Sequence, residues 1–339
     1  MSTLLAQLLR ESDASTLWIA DENAKPLLTQ DFSFAGTMLS NRWDLVQAAQ
    51  LCGVTAVFSD FELTQAGNHF SQILYPVSKE KAAVHYVINS APKVLQENGE
   101  LLLLGSKNSG IKTYAQKTAQ YLGTPKSLQK HGAEYLSRSR LAVGAPLGAP
   151  LDDSDYRSLR PVMALGDLYS KPGQFGWNKV DVGSALLAAH FADHLGPSPF
   201  TAVDLGCGYG YLSCQLAKIA TQARILATDN NAAALIACEK NFMESNIPGE
   251  VVPGDAGSQI ASGSADLVLC NPPFHQGFQV EGDLTGHFLS QAARILRPQG
   301  TALFVVNEFI PLGKKAETLF GKVEPLEKAR GFCLYRLTR

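Results

Sequence analysis

Two sequence blocks that each occur twice, in the same order, most restrict the fold of this chain. Residues 93–110 (KVLQENGELLLLGSKNSG) align with residues 294–311 (RILRPQGTALFVVNEFIP), and each runs from a helix end through a glycine turn into an apolar strand. Further on, residues 128–140 (LQKHGAEYLSRSR) align with residues 326–339 (LEKARGFCLYRLTR). This repetition predicts an internal duplication of one α/β fold. The alternative is that helix, glycine turn and strand recur in any α/β protein.

Short apolar runs alternate with helical stretches in the second half of the chain. The runs AVDL, RILATD, ADLVLC and TALFVV have the length of buried strands, and the segments between them carry apolar residues at helical spacing. Strands that alternate with helices form βαβ units, which build a parallel, doubly wound sheet. The first half has a similar alternation of strands and helices but no glycine-rich turn, so we expect it to have the same fold without a catalytic site.

A length of 339 residues favours two domains over one. With 45% hydrophobic residues, the chain can bury a core in each of them. The segment APLGAPLDDSD, rich in proline and aspartate, has no apolar periodicity and is the best linker candidate. We therefore predict a first domain over residues 1–145 and a second over residues 146–339.

Charge and cysteine usage narrow the class of protein. The net charge of −2 does not indicate a nucleic-acid binder, although a local basic face can be hidden in this average. The six cysteines form no CxxC pair and no His/Cys spacing typical of a metal site, so we expect reduced thiols and no metal. No run of 18 apolar residues and no leader-like N-terminus occur. These features predict a cytoplasmic protein with no membrane partner.

A glycine-rich turn follows the apolar run that ends in Asp204. The sequence VDLGCGYGYL places Gly206, Gly208 and Gly210 before a helical stretch, where glycines permit a tight turn and a close approach of the backbone to a ligand. The dinucleotide pattern GxGxxG requires a third glycine at position 211, which is Tyr211, so a dehydrogenase is excluded. An acid directly before the turn suits a ligand that carries an ammonium group.

Two more acids follow strands in the same half. Asp229 ends RILATD and is placed to accept hydrogen bonds from ribose hydroxyls, and Asp255 in VVPGDAGS is placed to accept from an adenine amine. With Asp204, they describe a nucleoside with a positively charged tail, and S-adenosylmethionine fits this description. Each acid also has a purely structural interpretation, as a helix cap or a turn residue.

The tetrapeptide NPPF, Asn271 to Phe274, follows the next apolar run. Pro272 and Pro273 make a rigid turn that exposes carbonyl acceptors, Asn271 adds a side-chain oxygen, and Phe274 adds a flat face for stacking. Together they predict a site that orients an aromatic amine toward an electrophilic methyl group. His275 ranks below Asn271, because a histidine after a rigid turn is at least as often a structural hydrogen-bonding residue.

These motifs resemble a known family. DLGCGYG, TDNNAAAL and NPPFHQG are similar to the motifs of class I S-adenosylmethionine-dependent methyltransferases that act on exocyclic amines. NPPFH, the upstream segment KPGQFGWNKVDVGSALL and the inactive first copy resemble the bacterial ribosomal RNA small subunit methyltransferase C family. The resemblance implies two tandem Rossmann-like class I methyltransferase domains from a duplication, the N-terminal one lacking the cofactor motif.

The resemblance also implies roles for individual residues. Asn271, Pro272, Pro273 and Phe274 are the expected catalytic residues. The PGQF segment resembles the stretch that covers the cofactor, whereas its sequel GWNK matches less well and leaves Trp177 unassigned. The expected contacts of S-adenosylmethionine are Asp204, Gly206, Gly208, Gly210, Asp229, Asp255, Ala256 and Phe175.

The function that the resemblance implies is methylation of the N2 amine of a guanine in 16S rRNA. The partner is then 16S rRNA or the 30S subunit, and we expect a monomer. Residues 106–140 carry seven basic residues and one acid, so the silent copy is a candidate to hold RNA phosphates, or else this stretch is an ordinary solvated surface. Two alternatives remain: a large-subunit (23S) rRNA guanine-N2 methyltransferase, and a nonenzymatic RNA-binding assembly factor on the same fold.

Overall fold

The molecule consists of two compact units, residues 1–157 and residues 158–339. The computed structural model describes residues 3–144, 146–196, 200–273 and 281–339. The predicted linker, residues 145–155, ends two residues before the boundary between the units, and its C-terminal part packs against the first one. Leu151 exchanges two hydrogen bonds of 2.8 Å with the side chain of Asn89. Tyr156 is fully buried there.

The first unit is built around one seven-stranded sheet. Its helices and strands are α1 (Thr3–Arg10), β1 (Thr16–Ala20), β2 (Thr37–Ser40), α2 (Trp43–Leu51), β3 (Thr55–Phe58), β4 (Phe70–Pro76), α3 (Lys81–Ser90), β5 (Leu95–Ser106), α4 (Ile111–Leu122), β6 (Gln129–His131) and β7 (Glu134–Arg140). Short 3-10 helices lie at Glu22–Leu27, Leu63–Ala66, Ala91–Lys93 and Lys107–Ser109.

The second unit opens with a small hairpin and a 3-10 turn at Met163–Leu165, followed by a second seven-stranded sheet. Its elements are β8 (Arg160–Val162), β9 (Leu168–Ser170), α5 (Val182–Ala189), α6 (Phe191–His194), β10 (Thr201–Leu205), α7 (Tyr211–Ile219), β11 (Arg224–Asp229), α8 (Ala232–Glu244), β12 (Gly249–Pro253), β13 (Ala265–Cys270), α9 (Glu281–Ile295), β14 (Leu296–Asn307), α10 (Leu312–Ala316), β15 (Lys322–Ala329) and β16 (Phe332–Thr338).

The two sheets have the same topology. Their orders are β3-β2-β1-β4-β5-β7-β6 and β12-β11-β10-β13-β14-β16-β15, so every strand of the first has a counterpart nine labels later in the second. In both, five strands run parallel and the last two form an antiparallel hairpin. The predicted tandem Rossmann-like folds and their duplication are confirmed.

The repeated blocks of the sequence are equivalent in backbone detail as well. Asn98 and Gln299 both adopt left-handed φ, at 62° and 66°. A Cβ on the glycine that follows either of them would lie 2.9–3.0 Å from a backbone oxygen three residues earlier in the chain. Both strands then resume after a register shift against their inner neighbour. A turn of this shape requires glycine, which explains why both blocks keep it.

Buried apolar residues make the central strands of both sheets the cores of the units. Val203, Leu205 and Val268 have no exposed surface in the second unit, nor have Leu17 and Ile73 at matching places in the first. Because parallel strands covered on both faces are apolar throughout, a polar side chain at their carboxyl ends stands out. In open α/β sheets, ligands bind in the crevice outside these ends.

Candidate active site

The glycine turn lies between β10 and α7, as the sequence predicts. The backbone N–H groups of Gly206 and Cys207 both donate to the Thr228 carbonyl, at 2.9 and 3.0 Å, which ties the turn to the end of β11. Gly206, Gly208 and Gly210 all have positive φ, at 75°, 54° and 85°. This conformation is strained for other residue types, so the glycine spacing is a backbone requirement.

Gly208 differs from its two neighbours in what surrounds it. A Cβ on Gly210 would lie 2.8 Å from Cys238 Sγ, and one on Gly206 would lie 3.4 Å from the ring of Phe288. A Cβ on Gly208 would meet nothing within 4 Å. The side of the turn at Gly208 is therefore open, which fits a ligand that rests on the backbone.

Asp204 lies next to the end of β10 and is fully buried. One carboxylate oxygen, Oδ2, accepts from the backbone N–H of Ser213 at 3.1 Å and from its hydroxyl at 2.7 Å. The other, Oδ1, has no donor among the described residues. Burial raises the pKa of this carboxyl to about 6, opposed by the bonds from Ser213. Oδ2 thus accepts hydrogen bonds from the first turn of α7, while Oδ1 is left to accept a hydrogen bond from a ligand.

Asp229 lies at the end of β11, the neighbouring strand. Its Oδ2 accepts from the N–H of Gly208 at 2.9 Å and its Oδ1 from the N–H of Asn231 at 2.8 Å. The cap of α8 is Asn231, whose side chain accepts from Ala233 N–H at 2.8 Å. Asp229 therefore joins the glycine turn to the start of α8, and it places a carboxylate in the same crevice as Asp204.

Asp255 lies in the loop that follows β12. Its carboxylate is 3.3 Å from Nε2 of His287 on α9, and its backbone N–H donates to Ser258 Oγ at 3.1 Å. Ala256, the next residue, is buried with φ at 47°. The sequence-based prediction missed His287, because nothing in the pattern of α9 sets it apart from other polar residues on an amphipathic helix.

Asn271 directly follows β13, one strand from Asp204. Its side-chain Nδ2 donates to Asp181 Oδ2 at 2.7 Å and to Ser184 Oγ at 2.8 Å. Its Oδ1 is buried and meets no donor among the described residues. Pro272 is buried and Pro273 is exposed. Phe274 and His275 lie outside the described residues.

The segment upstream of α5 connects to the crevice through Asn231. The side chain of Asn231 donates from Nδ2 to the Gly173 carbonyl at 2.9 Å, and Gln174 donates to Ser170 Oγ at 3.2 Å. Phe175, predicted to contact a cofactor, is 74% exposed. Trp177 packs under the guanidinium of Arg160, whose Cζ lies 5.4 Å from the ring centre.

Asn241 is a second residue that the sequence did not single out. It is buried in α8, and its Oδ1 accepts from the N–H of Tyr169 at 2.7 Å. Its Nδ2 donates to the carbonyls of Tyr169 at 2.9 Å and Tyr209 at 2.8 Å. One amide thereby joins β9 to the glycine turn. In the sequence, the one feature that could have indicated this role is an asparagine among the apolar residues of a helix.

The equivalent crevice of the first unit has different contents. Ser40 pairs with β3 at the register position where Asp229 pairs with β12. Asp60 matches Asp255 in its place two residues after the outer strand, but its carboxylate accepts from the hydroxyl of the buried Tyr156 at 2.6 Å. The ring of Tyr156 stacks on Tyr86 with 5.3 Å between centroids. In the first unit Tyr156 packs against the acid at this position, whereas Asp255 in the second unit is partly exposed beside His287.

The basic residues of the first unit are spread over several elements. They are Lys107, Lys112, Lys117, Lys126, Lys130, Arg138 and Arg140. Both arginines lie near Glu100 of β5, at 3.5 and 3.3 Å. Lys112 lies over the ring of Tyr135, at 5.1 Å, and Lys130 pairs with the same tyrosine across the β6–β7 hairpin. The exposed members of this set are Lys107, Lys112, Lys126, Lys130 and Arg140, whereas Lys117 and Arg138 are half-buried.

Other features bear on the class of site. All six cysteines are free thiols, and those at 207, 214, 238 and 270 are buried. Within the described residues, no cluster of three or more His, Cys, Asp or Glu side chains is arranged to hold a metal ion. A search of the same residues finds no helix with the length and apolar character needed to cross a bilayer.

The sheet order, the glycine turn and the polar strand ends define a Rossmann-like methyltransferase. The family model of the methyltransferase small domain matches residues 166–336, and that of its N-terminal domain matches residues 14–130. The chain belongs to the ribosomal RNA small subunit methyltransferase C family. The protein of this name from Pseudomonas entomophila is 33% identical over 270 residues, which cover 79% of this chain and 78% of the relative.

Two further comparisons extend over nearly the whole chain. The ribosomal RNA small subunit methyltransferase C of Erwinia tasmaniensis is 26% identical over 340 residues, covering 98% of this chain and 95% of the relative. A solved structure of a T. thermophilus 16S rRNA N2 methyltransferase in complex with AdoMet and guanosine has a TM-score of 0.79 at 23% identity. It covers 100% of this chain and 92% of that one, and it supports the fold.

Proposed function

We propose that this enzyme transfers a methyl group from S-adenosylmethionine to the exocyclic N2 amine of a guanine in 16S rRNA. The observation that carries the proposal is a pair of buried acceptors, Asp204 Oδ1 and Asn271 Oδ1, at the ends of adjacent parallel strands and without donors among the described residues. A buried acceptor without a donor costs about 1–3 kcal/mol, so a site that keeps two of them is built for ligands that supply donors. The ammonium group of the cofactor and the amine of the target base are such donors.

The described side chains fit the cofactor. Asp204 Oδ1 would accept from its ammonium group, the open side of Gly208 would hold its backbone-contacting part, and Asp229 would accept from its ribose hydroxyls. Asp255 and Ala256 would flank the adenine. When bound, S-adenosylmethionine supplies an electrophilic methyl group on a sulfonium.

The remaining contacts are proposed from the positions of neighbouring segments. Phe175, exposed beside the segment that Asn231 holds, is placed to cover the cofactor once it is bound. Phe274, which follows Pro273, would supply the stacking face for the base. Gly206 and Gly210 would contribute through the shape of the turn, because their α-carbons face Phe288 and Cys238.

The NPP turn would orient the nucleophile. The two N–H bonds of the guanine amine would donate to Asn271 Oδ1 and to the carbonyl of Pro272, which leaves the nitrogen lone pair free for the methyl group. These acceptors stabilise the positive charge that develops on nitrogen during transfer, and the proton then passes to water. No strong base is required for this step.

The first unit would hold the RNA. We propose that the silent unit, residues 1–157, contacts phosphates through Lys107, Lys112, Lys126 and Lys130, and that the catalytic unit, residues 158–339, receives a flipped guanine. Tyr135 has the cation of Lys112 over its ring and Lys130 at the paired position of β6, and an aromatic residue beside basic residues suits a nucleotide. The proposed acting form is a cytoplasmic monomer.

The test is methylation in vitro. The purified protein is incubated with labelled S-adenosylmethionine and with 30S particles, 50S particles or their free RNAs from a strain that lacks the enzyme. The RNA is then digested to nucleosides, and the label is identified by chromatography and mass spectrometry. We expect N2-methylguanosine from small-subunit RNA alone.

Two variants assign the activity to the site. Asn271→Ala should lower kcat by about 10²–10³-fold, because it removes an acceptor aimed at the reacting nitrogen. The matched control is Pro76→Ala, at the same strand position in the silent copy, which should retain full activity. Label in large-subunit RNA alone would instead assign a 23S methyltransferase. Cofactor binding without label in any RNA would contradict an rRNA substrate.

A further inference from the structure

Asp181 is the residue that connects α5 to the NPP turn. Its carboxylate caps α5 by accepting from Ser184 N–H at 2.9 Å, and the same oxygen, Oδ2, accepts from Asn271 Nδ2 at 2.7 Å. Ser184 Oγ accepts the second N–H of Asn271 at 2.8 Å. Asp181 and Asn271 are ninety residues apart in the sequence, so this contact exists only in the folded second unit.

The chemistry of the carboxylate decides which way the Asn271 amide faces. A primary amide has two nearly equivalent orientations about its last torsion, with oxygen and nitrogen exchanged. An ionised carboxylate only accepts hydrogen bonds, so Nδ2 must face Asp181. Oδ1 is then turned to the other side, where it is buried without a donor among the described residues.

The same contacts occupy the side-chain N–H groups of Asn271, which could otherwise donate to the lone pair of the target nitrogen. Both N–H bonds of Nδ2 are used, one by Asp181 and one by Ser184. A free N–H near the amine would bind its lone pair and hold back the electrons that must form the new bond. A carboxylate 2.7 Å from Nδ2 also polarises the amide and makes Oδ1 a stronger acceptor.

A close approach between α5 and the sheet makes this contact possible. Gly183 lies between the two partners of Asn271, and a Cβ there would lie 2.8 Å from the ring of Phe332 on β16. Only a residue without a side chain lets the start of α5 lie this near the sheet. The sequence Asp-Val-Gly-Ser is therefore explained residue by residue, except for Val182.

We propose that Asp181 is a positioning residue for methyl transfer that acts through Asn271, with Ser184 as its second contact. The inference rests on the proposed function, since it assigns how the acceptor for the amine is oriented. Asp181 sets the identity of the atom that Asn271 presents, and it keeps the amide from donating to the nucleophile.

A double-mutant cycle tests this role. Asp181→Ala should lower kcat by about 10–100-fold, because a small misplacement of a reacting group costs this much, while KM for RNA and Kd for the cofactor change by less than about threefold. In an Asn271→Ala background, the same change should alter kcat by less than about twofold, because its effect passes through a side chain that is gone. Ser184→Ala, which keeps the backbone cap, should give a smaller loss of kcat.

Two more variants separate orientation from folding. Asp181→Asn keeps an acceptor oxygen in place and should recover most of the kcat lost in Asp181→Ala. Asp21→Ala removes a comparable capping carboxylate in the first unit, where it accepts from Asn23 N–H at 3.0 Å, and it should leave kcat unchanged. If Asp181→Ala does not fold, Ser184→Ala alone, in the same cycle with Asn271→Ala, decides the question.

The outcomes are distinct. Equal losses from Asp181→Ala with and without Asn271 would reduce Asp181 to a helix cap and overturn the inference, even though the wild-type enzyme methylates small-subunit RNA. An unchanged kcat in Asp181→Ala would do the same. If the wild-type enzyme transfers no methyl group to this RNA, the proposed function fails first and the inference falls with it.

Discussion

Trp18 occupies in the first sheet the register position that Asp204 occupies in the second. Trp18 pairs with Leu74 of β4, and Asp204 pairs with Leu269 of β13, at corresponding points of the two central strand pairs. Both side chains are fully buried. The indole of Trp18 packs edge-on against Phe34, with 5.9 Å between the ring centroids. The carboxylate of Asp204 instead has one oxygen without a donor among the described residues. One copy fills this place with apolar surface, and the other holds a charge there.

Asp204→Asn should stabilise the second unit in the absence of ligands. Burial raises the pKa of Asp204 from 3.8 to about 6, so its ionisation opposes folding at neutral pH. The gain should be about 1–3 kcal/mol above pH 6 and should vanish well below the ordinary pKa of 3.8, where the carboxyl is protonated in both the folded and the unfolded chain. Thermal unfolding at about pH 7.5 and about pH 3 measures it. Asp193→Asn, at an exposed position of α6, is the control and should give no gain.

Cofactor binding should weaken as the pH falls. In the proposed contact, the ammonium group of the cofactor binds the ionised form of Asp204, and burial raises the pKa of this carboxyl to about 6. The dissociation constant should be about tenfold larger at pH 5 than at pH 7, with one proton released on binding at the lower pH. Calorimetry in buffers of different ionisation enthalpy measures both quantities. A constant affinity between pH 5 and pH 7 would contradict the proposed contact.

Gly208→Ala should abolish cofactor binding at little cost in stability. With φ at 54° and no neighbour within 4 Å, the added methyl group strains the backbone by about 1–2 kcal/mol but meets no protein atom. Gly166→Ala is a matched control, since Gly166 has φ at 68° and equally open surroundings. Both variants should lose similar stability in thermal unfolding. Only Gly208→Ala should fail to bind S-adenosylmethionine, and equal binding by both would place the cofactor elsewhere.

Tyr156 variants should show whether the segment that directly follows the predicted linker is part of the first unit. Tyr156→Phe removes the hydrogen bond to Asp60 but keeps the stacked ring, and it should cost about 1–2 kcal/mol. Tyr156→Ala should cost about 3–5 kcal/mol, because it also leaves a cavity. Urea unfolding monitored on residues 1–157 within the full chain measures both. A cost below about 1 kcal/mol for Tyr156→Ala would mean that this segment only lies on the surface.

The repeated fold and the positions of the acids were predictable because each depends on local sequence. Strands, turns and the register of Gly99 and Gly300 follow from apolar runs and backbone geometry, which neighbouring residues determine. Acids at the ends of parallel strands meet at one edge in any sheet of this class. Asp204 and Asp229 therefore needed no tertiary information to be brought together.

Contacts between distant segments were not predictable from the same patterns. The pairing of Asp181 with Asn271 joins a helix cap to a strand end, and either residue alone has an ordinary local role. Tyr156 directly follows a stretch rich in proline and aspartate, so its burial against Asp60 has no periodic signal. The domain boundary was placed before this stretch for the same reason.

A chain that contains two sheets of the same strand order can misfold, because a strand of one sheet can be inserted at the equivalent place in the other. Misassembly between similar domains is a characteristic failure of such chains. The difference between Trp18 and Asp204 at the same register position disfavours this misassembly. Inserting β10 into the first sheet would bury Asp204 without Ser213, and inserting β1 into the second would force an indole into a place shaped for a carboxylate. The replacement of the buried acid by an apolar side chain in one copy thereby also favours the pairing of each central strand with its own sheet.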